Sequence, residues 1–205
     1  MPGTLFRQAP PRLRYSDYVL SRIAPGFLLA APALSDPNFA RSVVLMCAHE
    51  DEGSLGVVVN RPLELELKEA LSQLEITAPR LGPQKVLLGG PVMPERAFVL
   101  YEPLKGAVDD DDLQVGTSLF LSSSLEVLGA IVGGRVARRF HFLLGHAGWG
   151  AGQLHGEIQA GAWIPAELDP DTLFSVPFDD RWEHLLRRQG IDPGLLGGGG
   201  SSAQA

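Results

Sequence analysis

Residues 42–62, with the sequence SVVLMCAHEDEGSLGVVVNRP, constrain the fold more than any other segment of the chain. Two apolar runs rich in β-branched residues flank a short polar segment that contains Gly53. This pattern is typical of two antiparallel strands joined by a turn. We therefore expect the chain to build at least part of its sheet from β-hairpins.

The remaining periodic segments extend this prediction along the chain. Hairpins dominate the first half and helices enter in the second, without regular βαβ units. We predict a single α/β domain of the α+β type, in which helices flank a mixed, mostly antiparallel sheet. Strands are expected at 27–34, 113–122, 140–149, 162–168 and 172–178, and a second hairpin over 85–102 with its turn at Gly89, Gly90 and Pro91. Helices are expected at 63–76, after a capping box of Ser123 and Glu126, from about Ala151, and at 179–190 with Asp180 as its cap.

Composition fits one soluble domain. The chain has 205 residues, of which 45% are hydrophobic and 20% charged, and these values are ordinary for a globular protein. We expect a flexible N-terminal extension over 1–22, a compact domain over 23–192 and a flexible Gly/Ser tail over 193–205. No apolar run is long enough to predict a membrane span. The single cysteine, Cys47, leaves no internal disulfide and favours a cytosolic location.

The charge balance argues against nucleic acid as a direct partner. With 17 basic and 24 acidic residues the net charge is −7, which repels phosphate backbones. Local basic patches nevertheless keep direct nucleic-acid binding as an alternative. They consist of Arg7, Arg12, Arg14 and Arg22 near the N-terminus and of the segment Arg135–Arg139, which contains Arg135, Arg138 and Arg139. Four aspartates at 109–112 lack the alternating spacing of a calcium loop and indicate a solvated loop.

The glycine-rich segment 144–154, LGHAGWGAGQL, invites comparison with phosphate-binding loops. Its glycines do not have the G-x-G-x-x-G spacing, and Gly152 is followed by glutamine rather than by the lysine of a P-loop. Two interpretations stay open. Free backbone N–H groups at a strand-to-helix junction can bind an anion, or the glycines only allow a sharp reversal while Trp149 fills the core.

Cys47 is the only candidate thiol nucleophile. If the strand is regular, His49 lies on the same face, with the two side chains on average ~7 Å apart. That separation is too long for direct proton transfer, and the apolar surroundings favour a buried, inert thiol. An enzyme that uses Cys47 with His49 is kept as an alternative. The histidines lack the i,i+4 spacing of a helical zinc site, so no metal and no cofactor is expected.

Several segments, taken together and in order, resemble a known family. The chain is similar to the YqgE/AlgH family of small bacterial proteins over roughly residues 26–192. The matching segments are 27–63, VLLGGPV at 86–92, SLEVL at 124–128, AGWGAGQL at 147–154 and DDRW at 179–182. The resemblance implies a single α/β domain in a cytosolic bacterial protein. It implies no reaction, although the family carries the label of a transcriptional regulator.

The resemblance also selects candidate ligand-binding residues. The family pattern carries over to Trp149, Gly152, Gln153 and Arg181, whereas Gly150 falls at a variable position. We therefore expect a non-enzymatic cytosolic protein that acts through a protein partner or a small ligand, with transcriptional regulation as the implied process. No membrane partner is expected.

Overall fold

The computed structural model describes residues 23–104, 108 and 110–196. The extension predicted over 1–22, with its four arginines, lies outside the described residues, as do Asp109 and the end of the predicted tail from 197 onward. The bounds of the three predicted segments remain predictions. Among the described helices, none is both long and apolar enough to cross a bilayer.

The described part of the chain forms one ten-stranded sheet with short helices around it. The strands are β1 Gly26–Ala30, β2 Val43–Glu50, β3 Gly53–Val58, β4 Pro62–Glu66, β5 Lys85–Leu88, β6 Val92–Pro103, β7 Leu113–Val115, β8 Leu119–Ser122, β9 Ala137–Gly150 and β10 Trp163–Glu167. The helices are α1 Leu67–Gln73, α2 Leu125–Val132, α3 Gln153–Gln159, α4 Pro170–Ser175, α5 Arg181–Arg188 and α6 Pro193–Leu196, with a 3₁₀ turn at Phe178–Asp180 before α5.

Strand β9 organises the sheet because it pairs with three other strands. The strand order is β10-β1-β2-β3-β9-β6-β8-β7, and β5 and then β4 branch off β9. The first ten residues of β9 pair antiparallel with β6, and its last four pair antiparallel with β3. Leu143 and Leu144 pair in parallel with β5. All other pairs of the described strands are antiparallel, which confirms the predicted mixed, mostly antiparallel α/β fold.

Both faces of the sheet are buried, and the sequence of β2 shows why. Val43, Leu45 and Cys47 point into one core cluster, and Val44 and Met46 point into a second. Since strand side chains alternate between faces, a strand covered on both sides must be apolar throughout. The predicted hairpin over 42–62 is confirmed as β2 and β3. The sheet also curls until β7 contacts β2, which encloses the first cluster.

The predicted hairpin over 85–102 is wrong. Strands β5 and β6 do not pair with each other, because β9 lies between them. Gly89 and Gly90 instead pass close to the backbone of β9. A Cβ atom on Gly90 would lie 2.3 Å from the carbonyl oxygen of His146, and one on Gly89 would lie 2.3 Å from that of Gly145. These glycines permit a close backbone crossing, which local sequence could not distinguish from a turn.

Three further predictions of secondary structure need correction. The segment 63–76 is part of strand β4 up to Glu66 before it becomes helix α1. The segment 113–122 forms two antiparallel strands, which turn at Gly116 with a φ of +69°. The segment predicted as a strand at 172–178 is mainly helix α4, because Asp169 caps it and Pro170 starts it.

The helix caps also differ in detail from the prediction. Ser124, rather than Ser123, caps α2 by accepting a hydrogen bond from the backbone of Val127 at 3.3 Å. Asp180 makes no capping hydrogen bond, because its backbone is already helical in the preceding 3₁₀ turn. The helix predicted there is otherwise confirmed: Trp182, Leu185 and Leu186 are buried.

Candidate functional site

Trp149 lies in a closed aromatic cluster at the end of β9. Its ring is 6.3 Å from that of Phe39 and 5.9 Å from that of Trp163, measured between centroids. Its indole Nε1 donates a hydrogen bond of 2.9 Å to one carboxylate oxygen of Glu157, and the indole of Trp163 donates to the same oxygen at 2.8 Å. One carboxylate on α3 thereby satisfies both buried indole donors.

Gln153 completes this network from the first turn of α3. Its side-chain nitrogen donates to the second carboxylate oxygen of Glu157 at 2.9 Å, and its side-chain oxygen accepts from the backbone N–H of Gly150 at 3.1 Å. Gly152 adopts a left-handed φ of +71° just before α3, a conformation that favours glycine. The side chains of Trp149, Gln153 and Glu157 are thus engaged with one another, and the segment is an internally bonded junction.

Arg181 belongs to the opposite side of the sheet. Trp149 packs in the cluster that contains Val44 and Met46, whereas α5, which carries Arg181, packs into the cluster with Leu45. The four predicted ligand residues therefore do not converge on one site. The structure brings Trp149, Gly152 and Gln153 together and places Arg181 elsewhere.

The guanidinium of Arg181 is buried and donates to three backbone oxygens, and one of its terminal nitrogens also lies 3.5 Å from Nε2 of His141. Its Nε donates to the carbonyl of Val176 at 2.9 Å, and its two terminal nitrogens donate to the carbonyls of Val59 and Leu173. Burial lowers the pKa of Arg181 to about 10, which still leaves it charged at neutral pH. No carboxylate among the described residues forms a salt bridge with it. Arg181 thus links Val59, which directly follows β3, to α4, and its buried positive charge has no carboxylate partner in the described part of the chain.

His141 is a residue of β9 and lies beside Arg181, which is on α5. Its Nε2 lies 2.6 Å from the carbonyl oxygen of Leu173, and since a carbonyl can only accept, Nε2 carries the proton. Burial, and secondarily the charge of Arg181, lower the pKa of His141 to about 4, so the ring is neutral at pH 7. Its Nδ1 is buried without a hydrogen-bond partner among the described residues.

A cleft opens next to this pair, between β9, α4 and the start of β5, and we call it the β9–α4 cleft. Its volume is about 640 Å³, which falls in the range of small-molecule sites. It exists because the described β5–β9 pairing involves only Leu143 and Leu144 of β9. On the N-terminal side of Leu143, the Gln84 side chain takes the place of a paired strand and donates to the backbone carbonyl of Phe140 at 2.8 Å. Its aromatic lining consists of Phe140, His141, Phe174 and Phe178.

The charged lining of the β9–α4 cleft is mainly basic. Lys85, Arg138 and Arg139 line it, together with one acid, Glu66. Arg139 is engaged, since its Nε donates to Glu102 at 2.7 Å and its NH1 to Asp171 at 3.0 Å. Arg138 contacts Glu102 only at 3.8 Å, and its side chain is 72% exposed.

The predicted thiol chemistry finds no support in the geometry. A β-bulge between Met46 and Ala48 makes Cys47 an extra residue in β2, which interrupts the regular alternation. Cys47 is buried, and burial raises the pKa of its thiol to about 12. The His49 Nδ1 lies 2.7 Å from the hydroxyl of Ser54. A thiol with that pKa carries almost no thiolate at neutral pH.

Of the basic segment Arg135–Arg139, only its last two arginines face the cleft. Arg135 is exposed outside it, and Arg139 is held by two carboxylates. Sequence reasoning missed the cleft because His141 showed no distinctive spacing and because Phe174 was assigned to a strand. The Asp169–Pro170 pair at the start of α4 was the signal that could have corrected that assignment.

These features define a single mixed α/β domain with a ligand-sized cleft beside its central strand. The chain belongs to the AlgH-like family, whose model matches residues 27–194. The family resemblance drawn from the sequence is therefore confirmed.

Individual relatives cover nearly the whole chain. A UPF0301 protein of Anaeromyxobacter sp. (strain Fw109-5) is 47% identical over 193 residues, which cover 89% of this chain and 97% of the relative. A UPF0301 protein of Xanthomonas campestris pv. campestris (strain B100) is 44% identical, covering 83% of this chain and 90% of the relative.

Solved structures show the same fold. The solution structure of the AlgH protein from Pseudomonas aeruginosa has a TM-score of 0.69 at 34% identity, covering 96% of this chain and all of that one. The crystal structure of protein DIP2367 from Corynebacterium diphtheriae has a TM-score of 0.67 at 27% identity, covering 84% of this chain and 90% of that one.

Proposed function

We propose that this protein is a non-enzymatic cytosolic binding protein that recognises a small ligand in the β9–α4 cleft and passes the bound state to a protein partner. Transcriptional regulation is the process we propose for it. The cleft carries this proposal: its volume suits a small molecule, its aromatic surface is partly open, and buried Arg181 and His141 hold its α4 wall in place.

The same observations weigh against the glycine-rich junction as the binding site. Its Trp149, Gln153 and Glu157 side chains hydrogen-bond to one another, so a ligand there would have to break existing bonds. In the β9–α4 cleft a ligand would gain contacts without that loss. Exposed Arg138 and the half-buried rings of Phe174 and Phe178 are the groups available to it.

A thermal-shift screen tests this proposal. The full chain is screened against a library of small metabolites of all charge types, alongside the variants Phe178→Leu and Gln153→Ala. We expect at least one compound to raise the melting temperature of the wild type and of Gln153→Ala but not of Phe178→Leu. Stabilisation that survives Phe178→Leu and disappears in Gln153→Ala would move the site to the glycine-rich junction.

Direct nucleic-acid binding is a second candidate, supported by the exposure of Arg138 and Arg135. Its test is a titration of short single-stranded and duplex oligonucleotides at low salt, where electrostatic attraction is strongest. The net charge of −7 leads us to expect no measurable binding. Binding that weakens in Arg135→Gln and Arg138→Gln together would favour this alternative.

A further inference from the structure

We propose that the β9–α4 cleft binds a ligand that combines an aromatic ring with an anionic group, either a phosphate or a carboxylate. This inference rests on the proposed function, because it names the chemistry of the ligand for the same cleft. It follows from the arrangement of rings and charges along the cleft.

The aromatic part of the proposal comes from three adjacent rings. The ring of Phe174 stacks on that of His141, with centroids 5.1 Å apart and an interplanar angle of 17°. The ring of Phe178 lies 5.6 Å from His141. Phe174 and Phe178 are both half-buried and line the cleft. The guanidinium carbon of Arg139 also lies 4.6 Å from the ring centroid of Phe174, so a planar apolar group of a ligand would contact mainly the ring edges. Edge-to-face contacts of this kind add to the gain from burial.

The anionic part comes from two arginines, Arg181 and Arg138, whose charges carboxylates do not fully neutralise. Arg181 lies behind Phe178, with its guanidinium carbon 4.4 Å from the ring centroid, and its hydrogen bonds go to carbonyls that do not neutralise it. Lys85 and Arg139 are paired with acids at the rim. Arg138 keeps only the 3.8 Å contact with a carboxylate that Arg139 already holds at 2.7 Å. Arg138 is therefore the cation that can turn toward a ligand anion.

His141, at the floor of the cleft, indicates which part of the ligand lies there. His141 is neutral at pH 7, since burial and the nearby Arg181 both oppose its protonation. A neutral imidazole between two phenylalanine rings suits the ring of the ligand rather than its charge. We therefore place the ring against Phe178 and Phe174, and the anionic group toward Arg138 at the mouth.

Isothermal titration with matched probe pairs tests this chemistry. The first pair is adenosine 5′-monophosphate and adenosine, the second is 2-naphthoate and 2-naphthalenemethanol, and inorganic phosphate is titrated alone. Within at least one pair we expect the anion to bind about tenfold more tightly than its uncharged partner, because one charge-assisted hydrogen bond contributes about that factor to the affinity. Phosphate alone is expected to bind no more tightly than adenosine or 2-naphthalenemethanol. The pair that responds distinguishes a phosphate from a carboxylate ligand.

Two arginine variants locate the anion. Arg138→Gln removes the charge at the mouth, and we expect it to weaken binding of the anionic probe about tenfold while leaving the uncharged partner unchanged. Arg135→Gln is the matched control, because this exposed arginine lies on the same segment outside the cleft. Equal loss in both variants, or no loss in Arg138→Gln, would overturn the proposal.

The probe and library results separate this inference from the proposed function. If neutral or cationic compounds bind and lose affinity in Phe178→Leu, the cleft is a binding site and the anionic chemistry is wrong. Binding of oligonucleotides without binding of either small anion also overturns the inference. If no compound of the library and neither anionic probe binds the folded chain, both proposals are wrong.

Discussion

The two ends of strand β9 carry two different kinds of polar site. At its C-terminal end, Trp149 and the following α3 form a network in which Glu157 accepts hydrogen bonds from both neighbouring indoles and from Gln153. Toward its N-terminal end, within the part of the chain that the structure describes, Nδ1 of His141 is buried without a hydrogen-bond partner and neighbouring Arg181 has no carboxylate partner. The first site is internally closed, whereas the second borders an open cleft.

Glycine density therefore does not mark the open cleft in this chain. In the conspicuous segment 144–154, the side chains of Trp149 and Gln153 both hydrogen-bond to Glu157, whereas the buried Nδ1 of His146 has no hydrogen-bond partner among the described residues. The less conspicuous segment around His141 combines buried polar groups with an accessible surface. Residues with perturbed pKa values cluster at functional sites. Variants that act on one end of β9 and leave the other intact test this difference.

The largest effect is expected at Arg181. Arg181→Leu leaves the backbone carbonyls of Val59 and Val176 without their donor, while that of Leu173 keeps its hydrogen bond from His141. We expect the free energy of unfolding to fall by about 4 kcal/mol. Urea unfolding followed by circular dichroism measures it. Arg187→Leu on the same helix is the control, since Arg187 is 63% exposed, and it should change stability by no more than about 0.5 kcal/mol. Equal effects of the two variants would refute the structural role of Arg181.

The next effect is expected at Glu157. Glu157→Ala leaves the indole N–H groups of Trp149 and Trp163 without an acceptor, at an expected cost of about 3 kcal/mol. Glu157→Gln keeps an acceptor oxygen and should recover at least half of that loss. Chemical denaturation followed by tryptophan fluorescence gives both values. If Glu157→Ala were as stable as the wild type, the junction would not be a closed structural network.

A pH effect of about 2 kcal/mol is expected at His141. Its pKa is about 4 in the folded protein, below the ordinary 6.5, so the unfolded state binds the extra proton between these values. Stability therefore rises with pH through this window, and its contribution is fully present only above pH 6.5. The variant His141→Gln removes this titration while keeping an N–H donor for Leu173.

The measurement is the difference between the unfolding free energies of wild type and His141→Gln at each pH, which cancels titrations common to both. From pH 7 to pH 4.5 this difference should shift against the wild type by about 2 kcal/mol. A difference that stays constant over this range would show that folding does not lower the pKa of His141.

The smallest effect is expected at Gly156 and tests the structural role of α3. Gly156 lies inside this helix, and a Cβ atom there would meet no other atom within 4 Å. Gly156→Ala should stabilise the protein by about 0.5 to 1 kcal/mol through helix propensity, raising the melting temperature while leaving ligand binding in the β9–α4 cleft unchanged. A loss of stability would contradict this description of α3.

Much of the fold could be predicted from local pattern, and the largest error comes from contacts between residues that are distant in the sequence. Residues 42–62 show their hairpin because both strands and the turn are adjacent in sequence. The insertion of β9 between β5 and β6 depends on contacts between residues about 50 positions apart, and Gly89 and Gly90 show only that the backbone must pass closely. The helix α4 had a local signal in Asp169 and Pro170, which the apolar pattern of 172–178 outweighed.

The candidate site was less accessible to sequence reasoning. The burial of Trp149 could be anticipated from its position at a strand end, but its bond to Glu157 needs the turn that brings α3 back onto β9. His141, Arg181 and Phe178 come from β9, α5 and the turn before it, and only the tertiary fold brings them together. No spacing in the sequence could reveal that arrangement.

Nuclear magnetic resonance can show directly whether a ligand binds in the β9–α4 cleft or at the glycine-rich junction, because the two ends of β9 carry separate reporters. The ¹⁵N-labelled chain is titrated with 2-naphthoate and, separately, with adenosine 5′-monophosphate. We predict that at least one probe shifts the side-chain amide of Gln84 and the backbone signals of 138–141 and 173–178, while the indole N–H signals of Trp149 and Trp163 stay in place. Shifts confined to those two indoles and to residues 150–153 would contradict the account and return the ligand site to the glycine-rich junction.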